Sequence, residues 1–320
     1  EPVNYRIEDD EPKPGGAEWA RMEGPNLVWN RPGECHAITD GQVHDLALTP
    51  DGQFVVLRLP TRVVAVPVGA GEARVLPIRS EDVRAITAGG DGDEVLVLGA
   101  NSVDVFRCAG GRPRRVALPV REPWHAALQP GGTLLAVAAG AHADIALVDL
   151  VRGTSVPLGR GYTRVAWAPD GQTVVGGNGR SLTSWSVAGE ELWTRGEPAD
   201  SWDRKRFNLR YRVVAVPDGR VLESRGGFAS EYGVDVRRGV GTRAESAFRL
   251  QVGHEVVAVL GADELLAADG AVLGVCDPVT CQWRTTQDLG AVIEAIAVAG
   301  RRVAAIVGDE VVLLEVPATR

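Results

Sequence analysis

The amino-acid sequence predicts an all-β protein built from repeats of about 40 residues. Three observations point to this fold class: a recurring tight turn, its regular spacing, and strand-like sequence on both sides of it. The turn is Pro-Asp-Gly or a close variant, and it stands at residues 50–52, 130–132, 169–171 and 217–219, with degenerate copies at 90–92, 261–263 and 299–301. Successive turns begin 40, 40, 39, 48, 44 and 38 residues apart. This period with β-type flanks is typical of β-propeller blades, so we predict a single propeller.

The turn residues explain why each repeat folds back on itself. Proline presets the backbone angle φ for the first part of a turn, and glycine supplies the positive φ that the second part needs. One blade is then expected to read as an apolar strand, this tight turn, a second apolar strand, a third strand, a polar turn and a fourth strand.

The first four repeats contain the clearest strands. In blade one we predict strands at 43–49, 53–59, 62–68 and 73–77, and in blade two, which runs over 83–118, the clearest strands are 94–98 and 102–106. Blade three opens at Trp124 and includes strands at 133–138 and 144–150. Blade four opens at Tyr162 and includes strands at 173–176, 181–187 and 191–194. The tryptophans within predicted strands (Trp29, Trp167, Trp185, Trp193 and Trp283) are expected to pack between blades.

The later repeats are less regular, and the last one is a strand short. Blade five begins at 211–216, blade six begins at 254–260 and ends near 283–285, and the last blade offers 292–298, 302–307 and 311–316. We predict that Asn26–Asn30 supplies the missing strand, because closing the ring removes an exposed sheet edge. The spacing therefore predicts seven four-stranded blades closed by an N-terminal strand, with a six- or eight-bladed ring as the alternative.

The repeat resembles the WD-repeat family of β-propellers. The resemblance lies in Val43–Gly52, Trp124–Gly132 and Tyr162–Gly171, and in third strands such as Ile145–Leu150 and Ser181–Val187. It extends over nearly all of the chain from about Asn26, although the Gly-His and Trp-Asp dipeptides of the family do not recur from blade to blade. The resemblance implies a rigid scaffold whose loops bind a protein or peptide.

Composition and charge exclude several classes of protein. The net charge is −8 over 320 residues, which disfavours general binding to nucleic acid. There is no run of about 18 apolar residues, so we expect no membrane span and a cytoplasmic location. The chain has two lysines against 32 arginines, which we interpret as codon bias in a GC-rich bacterial genome.

The N-terminal segment has the composition of a linker. Residues 1–25 carry a net charge of −4, and residues 8–16 (Glu-Asp-Asp-Glu-Pro-Lys-Pro-Gly-Gly) are charged and broken by proline. We therefore divide the chain into an acidic linker or tail at 1–25 and a propeller at 26–320.

The chain begins at Glu1 without an initiator methionine or an apolar signal segment. This favours the C-terminal sensor or partner-binding domain of a larger bacterial protein, with an effector domain upstream.

Catalytic motifs are missing, so we expect a non-enzymatic protein without a cofactor or metal. There is no Gly-x-Ser-x-Gly elbow, His-Glu-x-x-His, Walker loop or zinc-type Cys/His set. His44, His125 and His254 stand near predicted first strands and would form a metal or acid/base cluster in a channel-centred hydrolase or lyase, which is the alternative. Of the four cysteines, Cys276 and Cys281 could bridge in an oxidising compartment, but reduced thiols are the favoured interpretation.

Two long loops of blade five are the predicted partner-binding site. The loop into its first strand and the loop between its second and third strands are expected to open on the same face. The aromatic and basic residues that they carry are Trp202, Arg204, Lys205, Arg206, Phe207, Arg210, Arg225, Phe228 and Tyr232. Aromatic rings and arginines are typical of interaction hot spots, so the expected partner is a protein or peptide with an acidic surface. A phosphorylated or nucleic-acid ligand comes second, and a locally packed loop without binding is the alternative. A small-ligand or carbohydrate receptor, with Trp124 and Trp202 as stacking platforms, is a further alternative.

Overall fold

The computed structural model of the chain is built from β-strands. It describes residues 20–21, 43–68, 72–139, 144–178, 181–195, 212–215, 220–224, 234–240, 243–250, 255–280, 282–308 and 310–318. Within these ranges the strands form four-stranded antiparallel sheets, and the only helix is a single 3-10 turn at Ser80–Asp82. That turn is far too short to cross a membrane, and the described residues contain no helix that could do so.

Six sheets are each made of four consecutive strands. Sheet one contains β2 Asp45–Leu48, β3 Phe54–Arg58, β4 Arg62–Pro67 and β5 Arg74–Arg79; sheet two contains β6 Ala85–Ala88, β7 Glu94–Leu98, β8 Ser102–Arg107 and β9 Arg114–Ala117; sheet three contains β10 His125–Leu128, β11 Leu134–Ala138, β12 Asp144–Asp149 and β13 Ser155–Arg160. Sheet four contains β14 Arg164–Trp167, β15 Thr173–Gly177, β16 Leu182–Ser186 and β17 Glu191–Arg195; sheet five contains β18 Arg212–Ala215, β19 Arg220–Ser224, β20 Val234–Val240 and β21 Arg243–Leu250; sheet six contains β22 Glu255–Gly261, β23 Glu264–Asp269, β24 Val272–Cys276 and β25 Trp283–Asp288.

A seventh sheet joins the two ends of the chain. Its strands are β26 Ile293–Ala299, β27 Arg302–Val307 and β28 Glu310–Glu315, and the short β1 Ala20–Arg21 pairs antiparallel with β28. In this pairing Ala20 lies opposite Glu315 and Arg21 lies opposite Leu314.

The strand beside β28 is not the one that the sequence indicated. Its place is taken by Ala20–Arg21, inside the predicted linker, whereas Asn26–Asn30 lie outside the described residues. The physical reason is that the outermost strand of a sheet pairs through its backbone and needs little apolar sequence. The outer strand Ser155–Arg160 shows this, because none of its side chains is fully buried. An apolar pattern such as Leu27-Val28-Trp29 is therefore a poor guide to an outermost strand.

The sheets pack side by side into a closed ring, which makes the chain a single β-propeller. Apolar clusters fill the spaces between neighbouring sheets. Between sheets one and two, Val56 and Val63 pack with Val95 and Val97. The cluster between sheets seven and one closes the circle and includes the following buried residues: Leu46, Leu48, Leu57, Ile306 and Leu313. Further clusters lie between sheets two and three, three and four, four and five, and six and seven, so the described core is made of the layers between neighbouring sheets.

Hydrogen bonds also cross from one sheet to the next. The indole Nε1 of Trp167 donates to the backbone oxygen of Ala127 at 2.9 Å, which ties sheet four to sheet three. Arg302 Nη1 donates to the backbone oxygen of Gly52 at 3.1 Å, which ties sheet seven to sheet one. Trp185 is 2 % exposed and meets the ring of Tyr162 edge to face at 5.2 Å. The prediction that these strand tryptophans pack in the core is confirmed for Trp167 and Trp185.

The Pro-Asp-Gly turns have the structural role that their sequence indicates. Gly52 and Gly171 have φ of 65° and 68°, where a side chain would be strained. Asp51 Oδ1 accepts hydrogen bonds from Thr49 Oγ1 at 2.6 Å and from the backbone N–H of Gln53 at 2.9 Å. Asp170 accepts the equivalent bond from its own turn. These carboxylates are therefore occupied by the turns that they stabilise.

Candidate functional site

The two faces of the ring carry connections of very different length. We call the face where the first strand of each sheet begins the upper face, and the opposite one the lower face. Because the strands are antiparallel, the fourth-to-first and second-to-third connections all lie on the upper face. Those before β2 and β18 span residues 22–44 and 196–211, which are 23 and 16 residues, and the one between β19 and β20 spans the nine residues 225–233. Every lower-face connection between these strands has six residues or fewer. The longest connections therefore all begin and end at strand ends on the upper face.

A central channel opens on this face. It encloses a cavity of about 450 Å³, lined by the first strands of the sheets, among them Asp45–Leu48, Ala85–Ala88 and Ala295–Val298. This volume is within the range of small-molecule and peptide-side-chain pockets. Much of the wall is made of short side chains, namely Ala47, Ala85, Thr87, Ala88, Ala126, Ala295 and Ala297. The larger polar and aromatic groups of the wall are Asp45, Trp124, His125 and Arg164.

The polar groups of the wall occupy one repeated position. Asp45, His125 and Arg164 are each the first residue of an inner strand, at the upper mouth of the channel. Each of them stands five residues before the first residue of its Pro-Asp-Gly-type turn, as do Ala85 and Arg212. Aligning the repeats on that turn would have identified this position from the sequence, whereas comparing histidines alone did not.

Asp45 is built into the wall between sheets one and two. Its Oδ1 accepts from the backbone N–H of Leu46 at 2.9 Å, and its Oδ2 accepts from the backbone N–H of Ile86 at 3.1 Å. Burial raises the pKa of Asp45 from 3.8 to about 6, while these two hydrogen bonds and the nearby Arg58 oppose the rise. The carboxyl group is thus a structural acceptor with a raised pKa of about 6.

His125 is held in the same way between sheets three and four. Its Nδ1 accepts a hydrogen bond from the backbone N–H of Val165 at 3.4 Å. An accepting Nδ1 places the ring proton of the neutral imidazole on Nε2. Arg164, the neighbour of Val165, donates from Nη1 to the backbone oxygen of Thr163 at 3.1 Å. Two nitrogen-donor side chains therefore line the same part of the mouth.

Trp124 completes this part of the mouth. Trp124 is 45 % exposed. Its backbone N–H donates to the backbone oxygen of Ala138 at 2.8 Å, which fixes the main chain at this position. The preceding Glu122 has a φ of 50° and is the one non-glycine residue with positive φ among those described. The backbone N–H of Glu122 donates to Ala100 at 2.8 Å, and its carboxylate pairs with Arg84. The indole is thus presented at the mouth by a short segment that is fixed at several points.

The sequence-predicted partner-binding residues lie in the long upper-face connections of sheet five. Trp202, Arg204, Lys205, Arg206, Phe207, Arg210, Arg225, Phe228 and Tyr232 all fall outside the described residues. The strands that flank both segments have their adjoining ends on the upper face. Their role in binding stays a prediction.

The predicted histidine cluster can be followed only in part. His125 lines the channel, while His44 is exposed and His254 lies outside the described residues. Within the described part of the chain, no group of three or more His, Cys, Asp or Glu side chains is arranged to hold a metal ion. Sequence reasoning missed Asp45 and Arg164 as channel residues, because it compared the histidines and did not align the repeats on their turns.

The ring of four-stranded antiparallel sheets around a channel defines the class of protein, a β-propeller. Among solved structures, the chain is similar to the crystal structure of the Cps50 (Swd1) β-propeller domain of Myceliophteria thermophila, with a TM-score of 0.64 and 13 % sequence identity over 88 % of this chain and 98 % of that chain. At this identity the similarity shows the fold alone. No model of a protein family matches the sequence, and no curated protein matches it.

Proposed function

We propose that this chain is a non-enzymatic recognition module, a seven-bladed propeller of the WD-repeat type that binds a protein or peptide through its upper face. The observation that carries the proposal is the distribution of connections, because the three longest ones all join strand ends on the upper face. Binding residues are disproportionately found on loops that a rigid scaffold positions. The seventh sheet, with β1 beside β28, would be the blade that closes the ring.

The described mouth supports recognition more than chemistry. A half-exposed indole and an arginine both line the channel, and these residue types dominate binding energy at protein interfaces. The raised pKa of Asp45 is the one observation that favours a channel-centred enzyme. Both oxygens of that carboxylate accept backbone hydrogen bonds, however, which supports a structural role for the group.

The proposal also covers the cellular location of the recognition module and the domain that precedes it. We infer a cytoplasmic, bacterial sensor or partner-binding domain that follows an effector domain, on the basis of the acidic, proline-broken segment at 8–16 and the arginine-rich composition. The likeness to the Cps50 (Swd1) propeller domain is compatible with a scaffold of this kind. Fold alone does not dictate a partner, so the surface must be tested directly.

A pull-down from native lysate tests the face that binds. The upper-face variants are Trp124→Ala and the triple variant Arg204→Ala, Lys205→Ala and Arg206→Ala. The matched control is Val151→Ala with Val279→Ala, because these exposed side chains lie in lower-face turns. We expect partners that the wild type and the control retain and at least one upper-face variant loses. Equal recovery with all variants, or loss only with the control, would contradict the proposal.

A further inference from the structure

We propose that the channel takes a neutral carboxamide group, the side chain of an Asn or Gln residue of the partner, between sheets two and three, where its oxygen accepts the backbone N–H of Ala126. The inference rests on the proposed function in one respect, that the ligand is a protein or peptide. It concerns the inner strands β6 and β10, away from the sheet-five segments that the sequence indicated.

The backbone N–H of Ala126 lies on the open edge of its strand. The N–H of Gln129 donates to the backbone oxygen of Leu134 at 2.8 Å, so Gln129 is hydrogen-bonded across the hairpin of β10 and β11. N–H groups along an antiparallel strand alternate between the paired side and the open side. Ala127 therefore donates towards β11, whereas the N–H of Ala126 points away from it. Because β10 is the innermost strand of sheet three, this open edge faces the channel that Ala126 lines.

In two neighbouring places an equivalent N–H is capped by a side chain of the preceding sheet. Asp45 Oδ2 accepts from the N–H of Ile86 at 3.1 Å, and His125 Nδ1 accepts from the N–H of Val165 at 3.4 Å. Ile86 and Val165 are, like Ala126, the second residues of their inner strands, and each acceptor is the first residue of the inner strand before. The caps satisfy backbone groups that would otherwise lose their hydrogen bonds on burial, and they link sheet one to sheet two and sheet three to sheet four.

The cap is missing between sheets two and three. The first residue of β6 is Ala85, whose side chain has no acceptor, although it packs against the same apolar cluster as Ala126 and therefore faces sheet three. Among the described residues, no other side chain accepts from the N–H of Ala126. The strands β6 and β10 also lie less closely together than β2 and β6 or β10 and β14 do. An open donor and a wider gap therefore coincide at one place on the channel wall.

The wall of this gap suits a neutral acceptor. Its lining residues are uncharged, namely Ala85, Thr87, Leu98 and Ala126. One backbone N–H satisfies an amide oxygen, but it leaves most of a carboxylate unpaired, and burial of an unpaired charge costs far more than burial of an amide. The carboxylate of Asp45, on the next inner strand, also disfavours a second acid. A carboxamide is therefore the side-chain group that matches this site, and its methylene groups match Leu98 and the alanines.

Hydrogen exchange tests the open donor before any ligand is known. The full chain is isotope-labelled at its alanines, and amide exchange is followed by nuclear magnetic resonance. We expect the Ala126 amide to exchange at least about tenfold faster than the Ala127 amide, which is hydrogen-bonded within the sheet. Equal exchange at these two neighbours would show that the N–H of Ala126 already has an acceptor.

A peptide library tests the chemistry of the ligand. The probe is a set of hexapeptide pools with one fixed central residue and random flanks, captured on the immobilised full chain and quantified by mass spectrometry. We expect the Asn and Gln pools to be retained about fivefold more than the Leu pool, the ratio expected from one neutral hydrogen bond, and more than the Asp and Glu pools. In solution, the Gln pool should shift the Ala126 amide proton downfield and leave the Ala127 amide proton in place.

Three variants assign the effect to the gap. Ala85→Asn supplies a carboxamide where Asp45 supplies a carboxylate one sheet earlier, so it should slow the exchange of Ala126 about tenfold and abolish the preference for the Asn and Gln pools. Ala85→Leu fills the same space without an acceptor, so it should lower Asn and Gln capture without moving the Ala126 amide proton downfield. Ala297→Asn is the matched control, because it adds a carboxamide to the channel from sheet seven, and it should change neither measurement. Thermal unfolding verifies that each variant is folded, and if Ala85→Asn is not, Ala85→Leu and the two wild-type measurements still decide.

Three results would overturn the inference. They are equal exchange of Ala126 and Ala127, equal or better capture of the Leu, Asp or Glu pools, and a preference for Asn and Gln that survives Ala85→Asn. A lysate partner that is lost with an upper-face variant, together with no preference for carboxamides, would leave the proposed function standing without this inference. Carboxamide capture that depends on Ala85, with no lysate partner, would support this site and leave the wider proposal unsupported.

Discussion

The carboxylate of Asp45 and the backbone N–H of Ile86 are joined by a 3.1 Å hydrogen bond that links two neighbouring sheets at the channel wall. His125 and Val165 repeat the arrangement two sheets further on, at 3.4 Å. In both links the acceptor is the first residue of an inner strand and the donor is the second residue of the next inner strand. The residues that give the mouth its chemistry thus also hold adjacent sheets together.

Asp45 should make stability depend on pH. Its pKa is raised from 3.8 to about 6 in the folded chain, so the folded state binds its proton more tightly than the unfolded state. The contribution is fully present below pH 3.8, falls as the pH rises through about 6, and amounts to about 3 kcal/mol at most, because each pKa unit corresponds to about 1.4 kcal/mol. Solvent in the channel will reduce this figure.

Urea denaturation of the wild type and Asp45→Asn between pH 4 and 7.5 measures the effect. The Asn side chain does not titrate and can accept only one of the two backbone hydrogen bonds, a cost of about 1 kcal/mol that is independent of pH. We expect the free energy of unfolding of the wild type to fall relative to Asp45→Asn as the pH rises. Parallel curves for the two proteins would show that Asp45 titrates normally.

The ion pair of Asp104 and Arg115 should matter more than a similar pair one sheet away. Asp104 is buried and accepts two hydrogen bonds from Arg115, both of 2.7 Å, whereas Asp144 and its partner Arg160 are both exposed. Arg115→Ala leaves a buried carboxylate without its partner and should cost about 1–3 kcal/mol. Arg160→Ala should cost about 0–1 kcal/mol. Thermal and urea unfolding of the two variants make the comparison, and equal costs would contradict it.

Gly176 lies between sheets three and four at a point with no room for a side chain. A Cβ at this position would stand 2.9 Å from the ring of Trp185 and 3.1 Å from Ile145. Gly176→Ala should therefore overpack the core between sheets three and four and destabilise the ring by about 1–3 kcal/mol. Gly261→Ala is the matched control, because its Cβ would meet nothing within 4 Å. A neutral Gly176→Ala, measured by denaturant unfolding beside this control, would mean that the two sheets can move apart at no cost.

The Pro-Asp-Gly turn of sheet one should depend on its aspartate. Asp51→Ala removes the acceptor for Thr49 Oγ1 and for the N–H of Gln53 and should cost about 1–2 kcal/mol. Asp91→Ala, in the degenerate turn of the next repeat, is the control because Asp91 is exposed and its turn bond to Glu94 uses the backbone oxygen. Calorimetric melting of the two variants decides the matter; a similar loss in both would show that the side chain contributes nothing specific.

Local sequence predicted the repeat and most of its strands well. The predicted strand 53–59 is observed as Phe54–Arg58, and the predicted 94–98 is observed as Glu94–Leu98. These strands are buried on both sides, so their apolar residues are set by the fold and remain visible in the sequence. The strand beside β28 was misassigned because an outermost strand carries little of this pattern: Ser155–Arg160 has no buried residue and Arg74–Arg79 has one.

The amino-acid sequence by itself thus determined the class of fold. The turn residues and the apolar strand residues act over short stretches of sequence, and both recur about every 40 residues. Only the tertiary structure decided which side chains share the channel. His125 and Arg164 are 39 residues apart in sequence and Asp45 is 80 residues from His125, and ring closure alone brings their strands to one mouth. The raised pKa of Asp45 has the same origin, because the neighbouring sheet supplies both the burial and the N–H of Ile86.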